Sequence, residues 1–203
     1  MSYQGTPYHD AKHPGGPQRI PGRVMCACYD LGGENVAYHT NGGVNHGSGE
    51  LNPVDGSYLH SFRLHEGVST SYVKFFNEID NSIYNKVQPE EHMLYVGWTE
   101  PGEWIKLTVD VAETAAYAVS LLYTSQQGGQ ISLSVDGRDV TGPLNIPTTY
   151  RADDPLDWRQ WHHWNKLEIA RADLTEGVQV LTLRTVENGN MNYGYLEFTT
   201  VSL

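Results

Sequence analysis

Trp104-Ile105-Lys106-Leu107-Thr108-Val109-Asp110-Val111 places apolar side chains at alternate positions. Period-two alternation is the signature of a strand with one buried face. The same pattern recurs over residues 117–124, 131–135, 178–186 and 193–201. Gln126-Gln127-Gly128-Gly129 and Asp136-Gly137 read as hairpin turns, and Asn188-Gly189-Asn190 joins the last two runs. Strands at roughly ten-residue spacing, with no alternating helices, predict an all-β chain folded as a β-sandwich jelly roll. No internal repeat or linker divides it, so one domain is expected.

Upstream the pattern is looser. Residues 1–18, rich in His, Gly and Pro, read as an extended lead-in, with the sandwich occupying 19–203 and pairing starting near Ile20. Residues 24–30 read as a strand closed by Leu31-Gly32-Gly33. The Asn- and Gly-dense stretch 40–56 is a long loop, and long loops in compact domains are often functional. Residues 68–89 read as an irregular excursion with one short helix.

Composition bounds the function. In 203 residues, 39% are hydrophobic and 18% charged, and the formal net charge is −11. No basic cluster is available for phosphate contacts, which argues against nucleic acid and in favour of neutral or weakly charged ligands. No run approaches the ~20 apolar residues of a membrane span. Residues 1–13 lack the apolar segment of a secretory leader. That leaves a cytoplasmic protein or a chain that starts after a removed leader.

The chemistry-bearing candidates are few. Cys26 and Cys28 would lie roughly 6–7 Å apart in an extended segment, poorly placed for a disulfide, and no second pair completes a zinc site. They read as small side chains on a strand. His162-His163, adjacent on a strand, would face opposite sides and cannot easily chelate one ion. No metal or cofactor is expected. Trp158, Trp161 and Trp164 lie close together in the chain, and Trp158, beside a charged and proline-bearing loop, is the one expected to be exposed. An exposed aromatic face with a nearby amide or carboxylate matches the apolar faces and hydroxyl edges of a sugar ring. An alternative is a small glycan-active hydrolase or lyase using Glu100 or Glu103 with Asp157, since glycosidases pair two carboxyl groups across the scissile bond. A further alternative is an interaction domain whose sugar site is vestigial.

Four ordered blocks resemble family 6 carbohydrate-binding modules, in the galactose-binding-like class of β-sandwiches. They are Ile20-Pro21-Gly22-Arg23-Val24 running into Tyr29 to His39; Tyr95 to Trp104 and its strand; Ile131 to Gly137 with the Trp158-x-x-Trp161 step; and Asn192 to Phe198. The resemblance runs from about Ile20 to the C-terminus. It implies non-catalytic binding of an oligo- or polysaccharide at loops along the sandwich edge. It also implies a secreted, periplasmic or cell-surface location and a parent glycan-degrading enzyme. Carried over by position, Tyr38 and Trp158 would stack on a sugar, Asn192 would bond its hydroxyls, and Glu34 would be an acidic partner. The family often holds a structural calcium. Here Met25, Ala27 and Gly194 stand at its ligand positions, so apolar packing is expected in its place. The long segments 40–56 and 68–89 would either wall the site into a pocket, favouring chain ends, or flank an open cleft.

Overall fold

The alternation beginning at Trp104 forms a strand over the quoted stretch, and two sheets assemble around it. A computed structural model describes residues 3–201. Its strands are β1 (Gln18–Ile20), β2 (Gly22–Met25), β3 (Tyr38–His39), β4 (Thr70–Tyr72), β5 (Leu94–Val96), β6 (Trp104–Val111) and β7 (Ala115–Ser125). They continue with β8 (Gly129–Val135), β9 (Arg138–Asp139), β10 (Leu144–Ile146), β11 (Asn165–Leu174), β12 (Gly177–Glu187) and β13 (Met191–Thr200). One sheet runs β1-β6-β12-β8-β10, with β3 on β6 and β9 on β8; the other runs β11-β7-β13-β5-β4, with β2 on β13. The chain is all-β, a single-domain β-sandwich. No helix among the described residues is long and apolar enough to cross a membrane.

Alternation sets the main core. Ile105, Leu107, Val109 and Val111 of β6 meet Val119, Leu121 and Tyr123 of β7 and Leu196 and Phe198 of β13 between the sheets. The second sheet is apolar on its outer face too. Leu122 and Tyr195 point outward there and join Val73, Met93, Tyr95 and Trp164 in a second cluster. The parity of β13 would normally send Tyr193 and Tyr195 to the same side. A register shift between them, at Gly194, places Tyr193 in the main core and Tyr195 in the second cluster. A Cβ on Gly194 would lie 2.9 Å from Met93 Cε and 3.2 Å from Leu122 Cδ2, so only glycine allows this packing without displacement.

The segment 68–89 covers that outer face. It contains β4, paired with β5, and a 3-10 turn over Phe76–Glu78. Fully buried Asp80 fastens it. Its carboxylate accepts hydrogen bonds from Lys74 N (2.8 Å), Trp164 Nε1 (2.8 Å) and His162 Nδ1 (2.9 Å). Trp164 in turn accepts at its carbonyl from Lys86 N and Val87 N.

Three local expectations are corrected. Residues 24–30 do not form one strand, because the chain turns into a 3-10 helix at Cys26–Cys28, burying Cys26 and leaving both thiols free. Gln126-Gln127-Gly128-Gly129 is not a hairpin turn: β7 and β8 lie in different sheets, so the tight turn carries the chain between layers. A turn signal specifies a reversal, not the partner that follows it. The lead-in pairs before Ile20, through reciprocal backbone bonds of Thr6 and Leu31, and Tyr3 Oη donates to Asp30 at 2.7 Å.

Replacing Asp80 with alanine strands two buried donors, Lys74 N and Trp164 Nε1, and the half-buried His162. Asp80→Ala should cost about 3–5 kcal/mol and lower the melting temperature by on the order of 10 °C. A thermal melt matching wild type would show that apolar packing alone holds the second cluster.

Candidate functional site

The second cluster ends in a cavity of about 620 Å³ at one end of the second sheet. Five stretches of chain line it. Leu51 comes from loop 40–56, and Lys74, Phe76 and Ile79 from segment 68–89. Tyr95 and Trp98 come from β5 and the turn after it. Trp158, Trp161 and His162 come from the 3-10 helix Asp157–Trp161 and its end, and Asn190 and Asn192 from the entry to β13. Both long segments therefore contribute walls.

Each polar or aromatic contributor is held from behind. Trp158 is 46% exposed, while Trp164 is fully buried, as expected of the Trp beside the charged loop. The helix carrying Trp158 is anchored by buried Asp154. Asp154 takes a two-pronged bond from Arg159 (Nε 2.7 Å, Nη2 2.9 Å) and one from His163 Nε2 at 2.7 Å. The Arg159 guanidinium, helped by the Leu156 N–H, holds the Asp154 carboxyl well below the usual range despite its burial. Trp98 sits at φ +50°, a left-handed conformation that turns its indole out of the β5 alternation. Asn192 Nδ2 donates to Trp161 O at 2.9 Å, and no described protein donor reaches its Oδ1. Gly97 makes room for that amide: a Cβ there would lie 2.5 Å from Asn192 Oδ1.

Of the residues expected to form a site, the cavity brings together Trp158 and Asn192 but not Tyr38 and Glu34. Tyr38 is 6% exposed and belongs to the main core, because β3 pairs with β6 in the opposite sheet. Its ring meets Tyr29 edge-on at 5.5 Å and its hydroxyl accepts from Gly67 N. Glu34 is exposed, bonded to His39 Nδ1 at 2.5 Å and to Thr40 N. Phe76, Tyr95, Trp98 and Trp161 join Trp158 there, and of these Trp98 is the indole that sequence reasoning passed over. Its signal was its place beside Gly97 and just ahead of Thr99-Glu100-Pro101-Gly102, at a strand end.

Glu100, Glu103 and Asp157 do not line the cavity, and among the described residues no carboxylate does. Glu103 accepts from Asn41 N (3.0 Å) and Glu100 N (2.9 Å), and Glu100 from Asn41 Nδ2 at 3.0 Å, so the two carboxylates tie their turn to loop 40–56. Burial raises Glu103, against the pull of those N–H groups. No group of three or more His, Cys, Asp or Glu suited to a metal occurs among the described residues. Gly194 lies against Met93 and Leu122, and Met25 packs on the second cluster, so apolar side chains stand beside both.

A sandwich with an aromatic, amide-bearing cavity at its rim belongs to the class of ligand-binding β-sandwich modules. The family described as "Carbohydrate binding module (family 6)" matches residues 73–200, well over half of the chain, and the chain belongs to that family. Solved structures agree on the fold. A β-1,3-glucan binding family 6 module from Bacillus halodurans aligns with TM-score 0.56 at 13% identity, covering 91% of this chain and 100% of that one. A family 6 module from Clostridium stercorarium in complex with cellobiose aligns with TM-score 0.53 at 13% identity, covering 92% and 99%. A glycoside hydrolase family 43 arabinoxylan arabinofuranohydrolase from Bacillus subtilis, in complex with cellotetraose, aligns with TM-score 0.56 at 16% identity. The alignment takes in 96% of this chain, which spans only 33% of that longer one. No curated protein sequence matches significantly.

Two predictions follow from the supports. Gly97→Ala should displace the Asn192 amide and cost about 1–3 kcal/mol. Unmoved Asn192 side-chain NH2 resonances would show that the strand end yields instead. The depressed Asp154 carboxyl contributes stability that is present above its unfolded value and lost as pH falls toward its folded one. The stability gap between wild type and Asp154→Asn should therefore narrow below about pH 4. Urea midpoints at pH 6, 4 and 3 measure it, and a constant gap would count against the ion pair.

Proposed function

We propose that this module binds an oligo- or polysaccharide without catalysis, with the sugar held in the cavity by Trp98 and Trp158 and hydrogen-bonded by Asn192. The observation that carries the reading is the exposed Trp158 indole sharing one cavity with Trp98 and with an amide oxygen no protein donor uses. Indole faces suit the C–H faces of a pyranose, and the amide suits its hydroxyl edge. Trp98 takes the stacking role expected of Tyr38. Membership of a carbohydrate-binding family supports the same reading, and the cavity's lack of carboxylates among the described residues favours binding over glycoside cleavage. The length of the arabinofuranohydrolase beside this chain fits a role as an accessory module of an exported glycan-degrading enzyme.

A glycan array including cello-oligosaccharides and β-1,3-glucan tests the proposal. Binding without new reducing ends is expected, and reducing ends released at a steady rate would replace this reading with an enzyme. Trp158→Ala should weaken binding at least about tenfold, the equivalent of 1.4 kcal/mol, while barely moving the melting temperature. A large fall in melting temperature would show that Trp158 is a packing residue.

A further inference from the structure

The cavity lining includes one lysine, Lys74, whose ammonium touches no carboxylate. Three cations are buried among the described residues: Arg63, Lys74 and Arg159. Arg159 is paired with Asp154 at 2.7 Å and Arg63 with Glu66 at 2.7 Å. Lys74, 9% exposed, has neutral partners only. Its Nζ donates to Ser71 Oγ at 3.0 Å and to Tyr72 O at 3.2 Å, and lies 4.0 Å from the centre of the Tyr72 ring. The ammonium has three N–H donors, and these two bonds leave one without a described acceptor. Asp80 acts on it through space, but its carboxylate receives Lys74's backbone N–H, Trp164 and His162, and forms no ion pair with Nζ.

A buried ammonium with no carboxylate in direct contact is costly. Burial pulls Lys74 down to about 8, against the attraction of Asp80, so it is still mainly protonated at neutral pH. The remaining cavity lining is aromatic, aliphatic, amide and imidazole, with no carboxylate to repel an anion. A ligand that brings its own carboxylate would supply the missing partner through a charge-assisted hydrogen bond. The net charge of −11 works against anionic polymers at long range, so selection here rests on local contact.

We propose that the site prefers a uronate residue over the neutral hexose of the same configuration, with Lys74 pairing the sugar carboxylate. This rests on the sugar-binding reading of the cavity and adds the class of sugar to it.

The test titrates the whole chain with methyl glycosides of glucuronate, galacturonate and mannuronate, each beside its parent hexose. Indole resonances and calorimetry report binding. At least one uronate should bind about tenfold tighter than its parent. Lys74→Met should bring that ratio close to one, and a ratio left at the wild-type value overturns the assignment. The methyl ester of the preferred uronate removes the charge from the ligand instead, so it tests the pairing even where the variant fails to fold. Weakening to the level of the hexose is expected, and an ester binding as tightly as the acid overturns the proposal. If every hexose binds as well as its uronate, the preference is refuted while the sugar site stands. If neither kind binds, the sugar-binding reading falls and takes the preference with it.

Discussion

A single buried carboxylate organises the side of the molecule that matters. Asp80 has no access to water, so its two oxygens must be satisfied by protein, and one local donor and two distant ones converge on them. One is the Lys74 backbone, just after β4. The other two, His162 and Trp164, lie between the helix of Trp158 and β11. The carboxylate therefore fixes how segment 68–89 lies on the outer face of the second sheet. The cavity inherits its back wall from that contact, since Lys74 and His162 both line it.

The covering segment needs an apolar surface to sit on, and the bulge at Gly194 helps provide it. An unbroken β13 would direct both Tyr193 and Tyr195 inward, overfilling the main core and depleting the outer face. Shifting the register by one residue divides them. Tyr95 then packs edge-on against Trp164 at 5.4 Å, closing the second cluster directly below the cavity. Met25 belongs to the same arrangement, packed on the second cluster. Gly194 stands against Met93 and Leu122.

How much was legible in the sequence follows from how local each signal is. The strand Trp104–Val111 could be read to the residue because its alternation reflects one sheet face buried against one core. The exposed Trp158 could be read from its neighbours Asp153, Asp154 and Pro155. Pairing across long distances could not. Thr70–Tyr72 lacks alternation because all three residues are buried, and it becomes a strand only through β5. Tyr38 and Trp98 are both aromatics beside turn-rich loops, and the sequence does not say which sheet carries each. Tyr38 lies on the strand beside β6, ring inward. Trp98 lies past the end of β5, where a left-handed residue turns it toward Trp158's cavity.

The site is also ordered before any ligand arrives. Stacking on a sugar gains little if the indole must first be immobilised, because the lost side-chain and loop freedom offsets the contact. Here much of that ordering is already met by folding. Asp154, Arg159 and His163 lock the short helix under Trp158, Asn192 and Thr124 both donate to the carbonyl of Trp161, and Gly47 sits where a Cβ would come within 3.3 Å of the Trp98 ring. The two indoles thus hang on supports that belong to the fold, while their outward faces and the Asn192 oxygen have no protein partner to surrender. For the proposed sugar, that division means the cavity need not rearrange on binding. Lys74 differs from the other buried cations, Arg63 and Arg159, in touching no carboxylate.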